Sequence, residues 1–463
     1  MAIIGGIMVP HPPLIVPEVG KGEERVIEET TRAYEKAADF VAALKPDTIV
    51  LSSPHVVMYG DYLHICPGDG AGGNLRQFNA PGEGMNVDYD TELRDRIVEL
   101  CAEVNFPAGT EGERSPELDH GTMVPLYFIL KKYKDFRLVR LGISGISLLE
   151  HYSLGMMIKK ASEELDRRVL YVASGDLSHK LQVHGPYGFD PAGPEYDKRI
   201  MDVMGSGEFE RLLDFEPELL EKSAECGHRS FVIMAGAFDR TALEIERLSH
   251  QDVTGVGYGI CTFRVRGEDP KRNFFDRWYF AAKEKLEMRK NAEDEYISLA
   301  RQTIESYIRD GKIIKLPEGL PSEMLEKKAG AFVSLHINGA LRGCIGTILP
   351  VRASIAEEIV SNAISAATRD PRFSPVREDE LPFLEYSVDI LNEPEEIASE
   401  DQLDVKRYGV IVTKGMKRGL LLPNLDGVDT IEEQVAIAKQ KAGISVNDKD
   451  VQLERFEVTR HEV

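Results

Sequence analysis

Through roughly its first 265 residues the chain alternates short apolar runs with stretches whose apolar residues return every three or four positions. No other feature restricts the fold as strongly. Ala2 to Val9 and Thr48 to Ser52 have the length and composition of strands, and between them Val26, Ala33, Ala37, Phe40, Val41 and Leu44 mark one face of a helix. Further strands are expected at 137–143, 169–174 and 256–265, with helices near 148–165, 195–214 and 229–243. Strands separated by helices imply an α/β domain with a mainly parallel sheet covered on both faces. Residues 67–86 hold six glycines and two prolines. They read as a flexible surface loop, with a lid over the crevice as the alternative.

The alternation stops at Arg266. Residues 266–289 are charged with a few aromatics and read as a connector. A helix capped by Asn291 and stopped at Gly311 opens a second, α+β domain over 290–463. Strands are expected there at 331–337, 385–391, 408–413 and 419–422, and two helices start in capping-box spacing at Ser354/Glu357 and Asp429/Glu432. Two domains suit a length of 463 residues. The 78 acidic against 56 basic residues, a net −22, argue against a grip on nucleic-acid phosphates or anionic lipid. The apolar N-terminus lacks a basic n-region and cleavage site and reads as a first strand, and no run approaches the length of a membrane span. Five scattered cysteines without a C-x-x-C pair point to a reducing, cytoplasmic compartment.

Nine of the eleven histidines fall before residue 251. His11, His55 and His179 each follow an expected strand. In an open α/β sheet, loops leaving the strands' carboxyl ends converge on one crevice. Three imidazoles delivered there make a metal site plausible chemistry, and two of them with a carboxylate would match the ligand set of non-haem Fe(II) enzymes. Glu225, in Ser223-Ala224-Glu225-Cys226-Gly227-His228, is the candidate carboxylate. Any one of these histidines alone reads more simply as a strand cap or a carbonyl partner; it is the three together that favour a metal.

Val9-Pro10-His11-Pro12-Pro13, Ser53-Pro54-His55, Asp119-His120-Gly121-Thr122 and Ser174-Gly175-Asp176-Leu177-Ser178-His179 resemble the LigB-type, class III extradiol ring-cleavage dioxygenases over about residues 1–265. The resemblance implies Fe(II) held by His11, His55 and Glu225, with His120 and His179 as acid–base groups and a small-molecule substrate of the aromatic kind those enzymes open. Asp176 stands where those enzymes usually carry glycine, and Cys226 adjoins Glu225. Both features resemble the MEMO branch of the same fold, which implies instead His11, His55, His179 and Cys226 around the metal, with Asp176 as a supporting partner or extra ligand, in a partner-binding module without turnover. A zinc-dependent hydrolase is a third alternative, since the same donors can activate water.

In the second domain Leu341-Arg342-Gly343-Cys344-Ile345-Gly346-Thr347, Arg369-Asp370-Pro371-Arg372-Phe373 and Gly419-Leu420-Leu421-Leu422-Pro423 resemble the AMMECR-type domain over about 290–463. Cys344 reads as a reactive thiol or a structural one. Arg342 and Arg372 read as anion-orienting groups or as partners of nearby acids. The pairing of the two domains resembles the AmmeMemoRadiSam-type family, which implies a radical S-adenosylmethionine protein as partner. Its Fe–S cluster would not reside here, since no triplet of closely spaced cysteines exists in the chain.

Overall fold

Side chains at successive strand positions point to opposite faces of a sheet, and the apolar runs of the first half sort accordingly. Ile49, Leu51, Leu170 and Val172 enter one core while Val50, Val169, Tyr171 and Ala173 enter another on the far face. The sheet between these cores has six strands: β1 (Ile3–Val9), β2 (Thr48–Ser52), β5 (Arg137–Leu141), β6 (Val169–Ser174), β7 (Thr241–Gln251) and β8 (Tyr258–Glu268), in the order β5-β2-β6-β1-β8-β7. The first four are mutually parallel; β8 and β7 add antiparallel to β1. The computed structural model describes residues 2–112, 117–337, 340–425 and 427–463. Two units are separable, 1–279 and 280–463.

One face of the sheet is covered by α1 (Glu28–Leu44) and α3 (His120–Leu130), the other by α2 (Thr91–Glu103), α4 (Leu148–Glu164), α5 (Ala192–Ser206) and α6 (His228–Ala237). Three expectations change. The glycine-rich segment is a hairpin, β3 (Gly70–Leu75) paired with β4 (Ala80–Asp88), because ladder hydrogen bonds come from the backbone and glycine supplies them as well as any residue. The helix expected to reach residue 243 ends at Ala237, and β7 begins at Thr241 as an edge strand. The expected connector consists of the end of β8, a short turn and the helix α7 (Phe274–Ala292), whose Phe274 is buried against the first unit's core.

The second unit is α+β, as expected. Its first helix, α8 (Glu295–Asp310), is capped by Asp294 instead of Asn291: Asp294 accepts the N–H of Ile297 at 3.0 Å, and Gly311 closes the helix at φ 66°. Next come β9 (Gly330–Ile337), β10 (Ala340–Gly346), α9 (Ile355–Thr368), β11 (Leu384–Leu391), β12 (Glu395–Ile397), β13 (Gly409–Lys414), β14 (Lys417–Leu421), α10 (Ile431–Lys441), β15 (Gln452–Phe456) and β16 (Val458–His461). They form two four-stranded sheets, β10-β9-β11-β16 and β12-β15-β13-β14. Ser354 caps α9 as its spacing predicts, whereas the capping box of α10 is Thr430/Glu433, one residue beyond the expected pair. Among the described residues no helix is long and apolar enough to cross a membrane.

A candidate metal centre at the strand ends

Because β1, β2 and β6 are parallel neighbours, the loops that leave them emerge on one edge of the sheet. His11 and His55 meet there with their Nε2 atoms 3.0 Å apart. His120, the first residue of α3, joins them: its ring lies 3.9 Å from that of His55 and 5.4 Å from that of His11, centroid to centroid. Among the described residues this is the one group of three metal-type donors whose ligand atoms all lie within 4.8 Å of one another.

The tautomer of His11 follows from its neighbours. Ser174 ends β6 and donates its single O–H to the carbonyl of Gly121 at 2.5 Å, so its oxygen accepts the Nδ1–H of His11 at 3.0 Å. The lone pair of His11 is thereby placed on Nε2, facing His55. Burial, reinforced by the charge on His55, lowers the pKa of His11 to about 3; burial and the other two imidazoles do the same for His120, and burial lowers His55. Neutral imidazoles are the form that ligates metal. Two such nitrogens 3.0 Å apart lie within the span of a single ion with bonds of about 2.1 Å. The donor set therefore fits a divalent transition-metal ion.

Asp119, to which the sequence motif assigned no role, ties this site together. Its Oδ1 accepts the O–H of Ser53 at 2.7 Å and the N–H of Thr122 at 2.9 Å, and its Oδ2 accepts the Thr122 hydroxyl at 2.7 Å. Ser53 in turn accepts the N–H of His55 at 3.1 Å. One carboxylate thus caps the helix that begins with His120 and anchors the loop carrying His55. Burial by itself would raise its pKa; the hydroxyl donors and the Arg140 guanidinium, 3.8 Å away, outweigh burial and hold it below the ordinary value. An aspartate four residues ahead of the apolar run 123–130 is an N-cap signal visible in the sequence.

The structure does not bring Glu225 into the histidine group. Its Oε2 accepts the N–H of His228 at 2.6 Å, because a carboxylate at a helix start is drawn to the free N–H groups there. Burial raises its pKa to about 7. Cys226 comes nearer, with Sγ 3.7 Å from His11 Nε2 and 3.3 Å from the N–H of Asp176, and burial pushes its thiol up. Asp176 accepts the backbone N–H of His11 at 2.8 Å, and burial raises its carboxyl to about 6. His179 is fixed through Nδ1–H to the carbonyl of Ala224 at 2.7 Å, with the Tyr187 ring 5.0 Å away. The tip of the glycine-rich hairpin also reaches the site, since Phe78 lies edge-on to His120 at 5.3 Å.

In the second unit the arginines expected to orient an anion are bonded to neighbours. Arg342 spans both oxygens of Glu380 and the carbonyls of Ser374 and Pro375. Arg372 grips Asp370, which accepts the N–H of Cys344 at 2.9 Å. Cys344 is half-buried, with the Ser334 hydroxyl 3.2 Å from its sulfur; Cys226 is also half-buried but its thiol is pushed up by burial, and Cys66, Cys101 and Cys261 are buried. Iodoacetamide is expected to alkylate Cys344 first in the folded protein, read by peptide mass mapping; first modification at any other cysteine contradicts this.

Residues 5–261 match the family described as the catalytic LigB subunit of aromatic ring-opening dioxygenase, and residues 297–461 match the AMMECR1 family. A protein of Clostridium acetobutylicum is 42% identical over 470 aligned residues, covering 100% of this chain and 99% of its own. A Thermotoga maritima protein is 54% identical over 170 residues, 36% of this chain and 98% of its own. Among solved structures, an uncharacterized Pyrococcus horikoshii protein is 36% identical and covers 36% of this chain and 88% of its own, with a TM-score of 0.34. An uncharacterized Escherichia coli protein is 16% identical, covering 56% of this chain and 99% of its own, with a TM-score of 0.38.

Proposed function

Since this chain belongs to the family of the catalytic LigB subunit of aromatic ring-opening dioxygenases, with an AMMECR1 domain behind it, we propose that its first domain is an Fe(II)-dependent oxygenase acting on an aromatic small molecule. The observation that carries this reading is the approach of His11 and His55 to 3.0 Å, with His120 beside them. His11 and His55 are assigned as ligands and His120 as the third donor. Ferrous iron bound there would supply the redox chemistry that couples O2 to ring opening.

The remaining work falls to the chain's own side chains. His179 donates Nδ1–H to the Ala224 carbonyl, so its Nε2 keeps a lone pair with which to take a phenolic proton. Phe78 beside His120 and Tyr187 beside His179 offer aromatic walls for a planar ring. Asp176 holds the backbone of His11 in place.

Protein purified anaerobically is expected to hold about one iron per chain. His11→Ala and His55→Ala should lose it, and Glu225→Gln should keep it. Undiminished iron in both histidine variants overturns the assignment. Loss in Glu225→Gln with retention in His120→Ala would restore the set of two histidines and a glutamate.

A second reading, a metal- and partner-binding module without turnover, is favoured by Cys226 at 3.7 Å from His11. Metal loss in Cys226→Ala and His179→Ala, with no oxygen uptake on catechols or aromatic amino-acid derivatives, selects it. Zinc occupancy with hydrolytic turnover would select a hydrolase. Under either of the first two readings the AMMECR1 domain is assigned to binding substrate or a radical S-adenosylmethionine protein.

A further inference from the structure

A cavity of about 550 Å³ opens between α5 and the edge strand β7, lined in part by Lys198, Arg199, Arg211, Arg247 and His250. Its volume falls within the range of small-molecule sites. In a chain of net charge −22, a concavity with this many cations is unexpected. Two of them are neutralised locally, since Arg199 pairs with Glu216 at 2.7 Å and Arg211 with Asp202 at 2.8 Å. Lys198 and Arg247 make no ion pair among the described residues. Asp252 is the single acid of the lining in that same condition.

His250 gives the cavity a directed polar group. Its Nε2 lies 2.8 Å from Oδ2 of the buried Asp197, so that nitrogen donates to the carboxylate and the lone pair of Nδ1 is left to accept an O–H from a ligand. The chain makes room for this pair at Gly257, where a Cβ would collide with Oδ2 of Asp197. Oδ1 of the same carboxylate accepts the N–H of Ser178 at 2.8 Å, next to His179. One buried carboxylate therefore joins the cavity to the loop that enters the metal centre.

We propose that this cavity is a second ligand site, taking a small molecule through an oxyanion group, phosphate or carboxylate, held by Arg247 and Lys198, with an O–H of the ligand, such as that of hydrogen phosphate, donated to Nδ1 of His250. Charge-assisted hydrogen bonds to two otherwise unpaired cations supply the affinity, and the Asp197-oriented imidazole supplies direction. A ligand seated on His250 lies one side chain, that of Asp197, from the backbone of Ser178.

Calorimetric titration of the full-length protein with inorganic phosphate and with malonate, at a constant ionic strength of about 0.15 M, tests this. At least one probe is expected to bind saturably at one site per chain, and whichever binds more tightly identifies the phosphate or carboxylate class. Lys198→Ala with Arg247→Ala should weaken binding roughly tenfold or more, and His250→Gln should weaken it less. Iron content and melting temperature should not change in the double variant. No saturable binding of either probe, or equal binding by the double variant, overturns the proposal. Iron is measured separately, so failure of the metal assignment is distinguishable from failure of this one.

Discussion

Replacing Asp119 by alanine is expected to lower metal affinity roughly 10- to 100-fold, although Asp119 is not itself among the assigned ligands. Three hydrogen bonds converge on its carboxylate from Ser53 and Thr122. With it gone, Ser53 no longer anchors the loop of His55, and the start of α3, where His120 stands, loses its cap. Arg140, 4% exposed, also loses its nearest carboxylate. Loss of a cap costs about 1 kcal/mol, and Arg140 keeps its bonds to the Glu117 carbonyl and the Cys66 sulfur but loses the opposing charge 3.8 Å away, so a fall in thermal stability should accompany the loss of affinity. Asp119→Asn separates the two effects. An amide oxygen can still accept from Ser53 and from the Thr122 N–H, but it brings no charge to Arg140 and offers the Thr122 hydroxyl one acceptor fewer. The asparagine variant should therefore bind metal between the wild type and the alanine variant, measured by anaerobic titration at a temperature where all three are folded. Wild-type affinity in the alanine variant at that temperature would show that His55 and His120 hold their places without this carboxylate.

Much of the first domain could be read from the sequence because its strands are buried on both faces. Continuous apolar runs such as 48–52 and 169–174 announce themselves, and the residues that follow them were placed at one edge by parallel topology alone. For the complementary reason the sequence lets a helix run to 243 and marks no strand over β7, Thr241–Gln251. This edge strand leaves Glu244, Glu246, Arg247 and His250 in solvent, so no apolar run marks it. The glycines of the β3–β4 hairpin suggest mobility, but at Gly73 the use is close packing: a Cβ there would come within 2.9 Å of Leu118. At the site, strand-end position predicted the meeting of His11 and His55. It placed no constraint on the orientation of Glu225, because a carboxylate before a helix reads the same in sequence whether it faces a metal or the helix N–H groups. Cys226 and Asp176 could be singled out by their departure from the ring-cleaving pattern, and the structure puts both within reach of His11.

The helix pair α4 and α6 carries the second large effect. The two backbones touch: a Cβ on Gly236 would collide with the carbonyl oxygen of Tyr152 and lie 2.8 Å from its carbon, and one on Gly155 would collide with the Ile233 carbonyl and lie 2.7 Å from the nitrogen of Ala237. Both obstacles are main-chain atoms inside regular helices, so no rotamer change relieves them and the helices must part. Gly236→Ala is expected to cost about 3 kcal/mol, the upper end of ordinary overpacking, or on the order of 6–12 °C in the melting temperature of the first domain. Helix propensity alone predicts the opposite sign, a gain of about 1 kcal/mol for alanine over glycine, so the direction of the shift decides between them. Gly155→Ala should do the same. The double variant should lose less than the sum, because the helices need separate only once. Since α6 starts two residues after Cys226, the displacement should carry the thiol away from His11. Faster alkylation of Cys226 by iodoacetamide in Gly236→Ala than in the wild type, where it is half-buried, at a temperature where the variant is still folded, is the independent sign that this crossing sets the position of the loop.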